Sequence, residues 1–225
     1  MKYCFAMIST VLCLSSLSHA IEWHTEEILD HSGIGSDCDL AIDDADGIHI
    51  CFHYKCNSLP GADLYYAFKA DTAASWVITP VDVDYSNVVG ANCEIDLDSQ
   101  ENPHISYIYD WDVEDLSYIR YAAFDGSEWL TEQLTFSPEY SSEGTSIVMD
   151  NDNPHIFYFK FCSGLTHQWK DISDIWLNET LDSTHIIVHP HAAMDPSGAL
   201  GIAYFRMASA GSEWELHYAH PDGIS

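Results

Sequence analysis

The chain has 225 residues, with 36 Asp or Glu against 7 Lys or Arg and a formal net charge of −29 at pH 7. That excess repels phosphate backbones and anionic lipid, which excludes nucleic acid and acidic membrane surfaces as partners. Apolar residues at 47% and aromatics at 13% suffice to build a core, which excludes a disordered chain.

Residues 1–20 read as an export signal: Lys2, an apolar stretch from Tyr3 to Leu14, then Ser18-His19-Ala20 as a small-x-small cleavage site. The stretch is too short to cross a bilayer as a helix, and no long apolar run follows, so no membrane insertion is expected. The expected location is secreted, periplasmic or cell-surface.

From residue 21 the chain repeats itself. Asp98-Ser-Gln-Glu-Asn-Pro-His104-Ile-Ser-Tyr107 returns as Asp150-Asn-Asp-Asn-Pro-His155-Ile-Phe-Tyr158, with looser copies at Asp43 to Phe52 and Asp195 to Tyr204. A period of roughly 50 residues marks an array of supersecondary units. Each unit reads as four strands: a short alternating run, an acidic turn, a β-branched and aromatic run, then two more runs joined by a tight turn. The predicted architecture is all-β, a β-propeller of four-stranded antiparallel blades covering residues 21–225. Blades are expected at 36–84, 90–136 and 143–181, with an incomplete blade at 184–225. Residues 21–30 carry the fourth-strand pattern, a Trp followed by alternation, so Trp23, Trp76, Trp129 and Trp176 are one structural position. Two arrangements follow: four blades closed by the N-terminal strand against residues 213–219, or part of a larger ring.

The run Asn-Pro-His-Ile-Ser-Tyr, followed by Tyr-Ala and a late Trp, resembles the propeller repeats of secreted bacterial proteins. Ala123-Phe-Asp125-Gly-Ser-Glu-Trp129 resembles the Asp-box of sialidase-type propellers, although that box has another residue between Asp and Gly. The resemblance implies the fold and no single chemistry, because such propellers serve as lectins, scaffolds, adhesins and hydrolases. A sialidase-like site is disfavoured, since that family grips its substrate carboxylate with three arginines and this chain has only Arg120 and Arg206.

A residue that recurs in every unit belongs to the architecture; one that breaks the pattern is a candidate for a site. By that test His49, His104 and His155 are structural, each bonding the acidic turn before it. The recurring tryptophans are interblade packing. Five cysteines follow the signal: Cys38, Cys51, Cys56, Cys93 and Cys162. Their odd number leaves at least one unpaired within the chain; Cys38 and Cys51 fall on strands expected to pair, where a bridge would fit, and Cys56 and Cys162 are expected to pack in the core.

Off the repeat, Asp110-Trp111-Asp112 places an aromatic among carboxylates on an expected loop and suits a sugar or cationic ligand. Asp44 and Asp46 meet two of the three spacings of a calcium loop, so calcium is the one cofactor that the turns suit. His189 and His191 would share a face of an extended segment and are candidate metal ligands, although Pro190 argues for a linker between blades. Asp39, Glu94 and Asp96 lie on first strands, which line a propeller's axis. The main functional expectation is a non-catalytic binding or interaction module for a glycan or protein. The alternatives are a glycoside hydrolase-like enzyme using channel carboxylates, and a calcium-stabilised structural domain of a larger protein.

Overall fold

The computed structural model describes residues 23–29, 33–56, 62–71, 74–84, 86–111, 116–135, 144–160, 163–183, 186–208 and 213–221. They form a β-propeller of four sheets, each a meander. The first blade is β1 (Gly33–Ile42), β2 (Ile48–Cys56), β3 (Asp63–Lys69) and β4 (Val77–Asp82). The second is β5 (Val88–Leu97), β6 (Pro103–Trp111), β7 (Leu116–Phe124) and β8 (Trp129–Gln133). The third is β9 (Thr145–Asp150), β10 (Asn153–Lys160), β11 (Gly164–Lys170) and β12 (Trp176–Asp182). The fourth has three strands among the described residues: β13 (Ile187–Met194), β14 (Leu200–Met207) and β15 (Trp214–Ala219).

The first strands sit side by side around the centre, β1 against β5, β5 against β9 and β9 against β13. The second strands of the two middle blades, β6 and β10, are covered on both faces and buried almost continuously, whereas β2 and β14 alternate. Ile105, Ser106, Tyr107 and Ile108 of β6 are all fully buried. Outer strands are largely exposed, as β8 and β12 are. Each seam has its own core. Cys51, Leu64, Val89, Ile105 and Tyr107 fill the first, and burial of a Leu or Ile there contributes about 1.5–3 kcal/mol.

The acidic turns form for a local reason. Asp43 Oδ1 accepts the N–H groups of Ala45 at 2.9 Å and Gly47 at 2.6 Å, while its Oδ2 lies 3.2 Å from His49 Nε2. Asp98 repeats this with Gln100, Asn102 and His104. A Cβ at position 47 would stand 2.3 Å from the Asp43 carboxylate as it now lies, so a larger residue there requires that carboxylate to shift. Tyr66 and Tyr121 hydroxyls meet the Nδ1 atoms of His49 and His104, at 2.7 Å and 2.5 Å. Trp129 and Trp176 of the following blades pack edge-on against those tyrosines.

The third blade departs from this pattern. Its turn is a two-residue one, with Asn151 and Asp152 both at positive φ, as a type I′ hairpin requires. Among the described residues no carboxylate hydrogen-bonds His155, which bonds His167 at 2.9 Å instead.

The N-terminal segment differs from expectation. Residues 23–29 lie in no strand and do not pair with β15. Glu26 reaches the first blade, where it accepts hydrogen bonds from Lys69 Nζ at 2.7 Å and Trp76 Nε1 at 3.2 Å. The Lys69 side chain is only 3% exposed, and Glu26 supplies the counter-charge that its buried ammonium requires.

The bridge between Cys38 and Cys51 is also corrected. Cys51 pairs with Asp39 and Cys38 with Phe52, so the two thiols leave opposite faces of the sheet. Cys162 and the Cys56 side chain lie outside the described residues. Among the described residues no helix is long and apolar enough to cross a membrane.

Candidate axial site

Strand register aligns the four blades residue by residue. Two positions beyond the repeat histidine on the second strand stand Cys51, Ser106, Phe157 and, in the fourth blade, Ala203. Their partners on the first strands are Asp39, Glu94, Ser146 and His191. One structural position therefore carries four different polar side chains, the signature expected of a site rather than of the architecture. Asp39, Glu94 and His191 line a central cavity of about 390 Å³ together with Asp37, Cys38, Cys93, Thr145 and His189. That volume falls within the range of small-ligand sites.

The quartet is wired in sequence. The N–H of Ala192 donates to Ser146 Oγ at 2.9 Å, and Ser146 is hydrogen-bonded to Glu94. His191 Nδ1 lies 3.2 Å from Glu94 Oε1, joining the second and fourth blades. Asp39 Oδ2 accepts the N–H of Ile95 at 3.0 Å, which ties the first blade to the second. Burial is the main influence on Glu94 and pushes its carboxyl above the ordinary value; Asp39 adds to the rise, while Ser146 and His191 oppose it. A carboxyl held toward its protonated form in a pocket is suited to donate a proton.

His189 and His191 thus lie on the inner strand β13 rather than on a linker. Pro190 is accommodated by a bulge between Val188 and His191, with His189 at φ 50°. Asp96, also expected on the channel, accepts the N–H of Met149 at 2.7 Å and serves as an interblade tie. Nothing in the sequence singles out Ser146, because the shorter turn of the third blade places it nine residues before His155, where Asp39 and Glu94 stand ten before theirs.

The other candidates lie elsewhere. Asp110 is in β6, accepting the hydroxyl of Ser117, and Trp111 ends the strand opposite Leu116. The Trp111 side chain and Asp112 lie outside the described residues. Asp44 and Asp46 flank a turn whose organising carboxylate is Asp43, and Asp46 takes its positive-φ position at 65°. Among the described residues no group of three or more His, Cys, Asp or Glu is arranged to hold a metal ion.

A second cavity, about 320 Å³, lies between the third and fourth blades against His167, Glu179 and Gly201. His167 occupies the register position of Tyr66 and Tyr121. The cavity is therefore the place that Trp129 and Trp176 fill in the other seams, a packing position.

No family model and no characterised protein matches the chain in sequence. Solved structures do match its shape. The α-L-arabinanase of Penicillium chrysogenum, complexed with arabinobiose, superposes with a TM-score of 0.61 at 11% identity over 84% of this chain and 63% of that one. The α-L-arabinofuranosidase of Fusarium graminearum, in complex with an iminosugar inhibitor, gives 0.62 at 10% identity over 83% and 62%. A thermostable family-43 glycoside hydrolase gives 0.54 at 12% identity over 84% and 73%. The chain thus spans just over six-tenths of the arabinanase and the arabinofuranosidase. The expectation of a non-catalytic binding or interaction module is corrected here: these matched structures are glycoside hydrolases, the class named in the alternative reading. At these identities the likeness establishes the β-propeller fold.

Proposed function

We propose that the chain is a glycoside hydrolase-like enzyme that takes a glycan into the axial cavity, with Glu94 as general acid and Asp39 as the second carboxylate. The observation that carries this is the Glu94 carboxyl, kept toward its protonated form by burial in the cavity that Asp39 also lines. Glycoside hydrolysis needs a protonated carboxyl to deliver a proton to the leaving oxygen. It also needs a second carboxylate to activate water or attack the sugar carbon. Asp39 is oriented for the second role by Ile95, and His191 reaches the acid from the opposite blade. The shape neighbours support a pentose-bearing glycan as substrate class, and export, expected from residues 1–20, would bring the enzyme to such polymers.

The test is a panel of chromogenic α-arabinosides, β-xylosides and hexosides, followed by Glu94→Gln and Asp39→Asn. Turnover on a pentoside is expected, falling by about 10²–10⁴-fold in either variant, with the melting curve retained. A panel without turnover, or variants as active as the parent, overturns the reading.

A further inference from the structure

We propose that Cys51 and Cys93 form a disulfide across the seam between the first and second blades, a modification site one residue from the axial carboxylates. Register carries the argument. Cys51 stands two residues beyond the repeat histidine on the second strand, opposite Asp39. Cys93 immediately precedes Glu94 on the first strand of the next blade. In the following seam the same two positions are Ser106 and Thr145, and their hydroxyls are in hydrogen-bonding contact. The repeat thus brings these two side chains together wherever both are small. The Cys51 thiol is itself hydrogen-bonded to Cys93, and both belong to one buried core cluster, at 0% and 4% exposure. Cys38 occupies the register position of Cys93 one blade earlier, faces away from Cys51, and is exposed.

The chemistry balances with a low-molecular-weight disulfide, such as oxidised glutathione, as oxidant. Cys93, which lines the axial cavity, attacks one sulfur of the oxidant as its thiolate, and one small thiol leaves. Cys51, as its thiolate, then attacks the Cys93 sulfur of the mixed disulfide, and the second small thiol leaves. Two protein thiols lose two electrons and two protons; the oxidant becomes two thiols. Burial holds the Cys51 thiol protonated, so exchange in the folded protein is slow and equilibration must be long. The bond would fix the spacing of the strands that carry Asp39 and Glu94, but the proposal does not rest on the hydrolase reading.

The test equilibrates the intact protein in a series of glutathione redox buffers, alkylates it under denaturing conditions and maps the digest by mass spectrometry. A peptide pair joined through Cys51 and Cys93 is expected, with Cys38 alkylated. Melting temperature is expected to be higher in oxidised than in reduced protein. That difference should persist in Cys38→Ser and vanish in the double variant Cys51→Ser with Cys93→Thr, which copies the next seam. Cys51 and Cys93 both alkylated after full equilibration would overturn the proposal, as would either one joined to another cysteine.

Discussion

The indole N–H of Trp76 donates to Glu26 at 3.2 Å, as that of Trp176 donates to Glu132 at 2.8 Å. Each carboxylate also receives a lysine at 2.7 Å, Lys69 in the first case and Lys170 in the second. Trp23 and Glu26 repeat the spacing of Trp129 and Glu132, so the segment 23–29 presents itself to the first blade as an outer strand of a preceding blade would. Trp23 is 87% exposed and has, among the described residues, no aromatic partner like those of Trp129 and Trp176. Glu26→Ala should lower the melting temperature by stranding the buried Lys69, and should expose the 23–29 segment to limited proteolysis. Adding Lys69→Met should restore part of the loss, because an apolar side chain needs no counter-charge. An unchanged melting curve for Glu26→Ala would show that the pair does not anchor the segment.

At the axis, the raised Glu94 carboxyl is held back by Ser146 and His191, both of which favour its charged form. His191→Ala should therefore move the Glu94 titration to higher pH, and any alkaline limb of a pH–rate profile should move with it. Carbon-detected NMR of the Glu carboxyls follows this without a substrate. A titration that stays in place or moves to lower pH would mean that His191 does not govern the acid.

How much of this could be read in the sequence depended on counting. The Asp-to-His spacing is visible because the turn and the second strand are made by contiguous residues, and His49 and His104 do bond Asp43 and Asp98 as expected. Asp39, Glu94 and His191 could be picked out singly, but their sharing one position with Ser146 could not, because three first strands are bulged just before the residue that matters. The breaks lie between Gly35 and Cys38, between Ala91 and Glu94, and between Val188 and His191. Asn92 and His189, at φ 48° and 50°, turn the chain at two of them. A bulge shifts the two-residue period, so counting along the strand no longer tells which side chain faces the axis. Asp150 was legible as an acidic turn but not as a shorter one. The partner change at His155 follows from that difference.

The turn carboxylates make a separate prediction. Asp98 accepts two backbone N–H groups and the Asn102 amide and lies 3.4 Å from His104. Asp98→Ala should cost on the order of 2 kcal/mol in urea unfolding, because several partly buried donors lose their acceptor together. Because these oxygens are already occupied by N–H groups, EDTA should leave the melting temperature of the parent unchanged. A calcium-dependent rise in that temperature would return the turns to the metal reading.

The third blade should act as the acid-sensitive part of the fold. Burial, reinforced by neighbouring His167, lowers His155 from an ordinary 6.5 to about 4, with Asp150 only partly opposing the fall. Between those values the unfolded chain holds a proton that the folded protein refuses. Stability therefore rises with pH across this window, is complete above the unfolded value, and drains away as pH falls toward 4. Since the ring is partly exposed, the loss is on the order of 1–2 kcal/mol. His104 and His167 are lowered in the same direction by burial, so the parent's slope is a sum. The distinguishing measurement compares urea unfolding between pH 7 and pH 4.5 for the parent and for His155→Gln, whose amide can still reach His167. The variant should lose less stability on acidification, and parallel slopes would locate the acid sensitivity elsewhere.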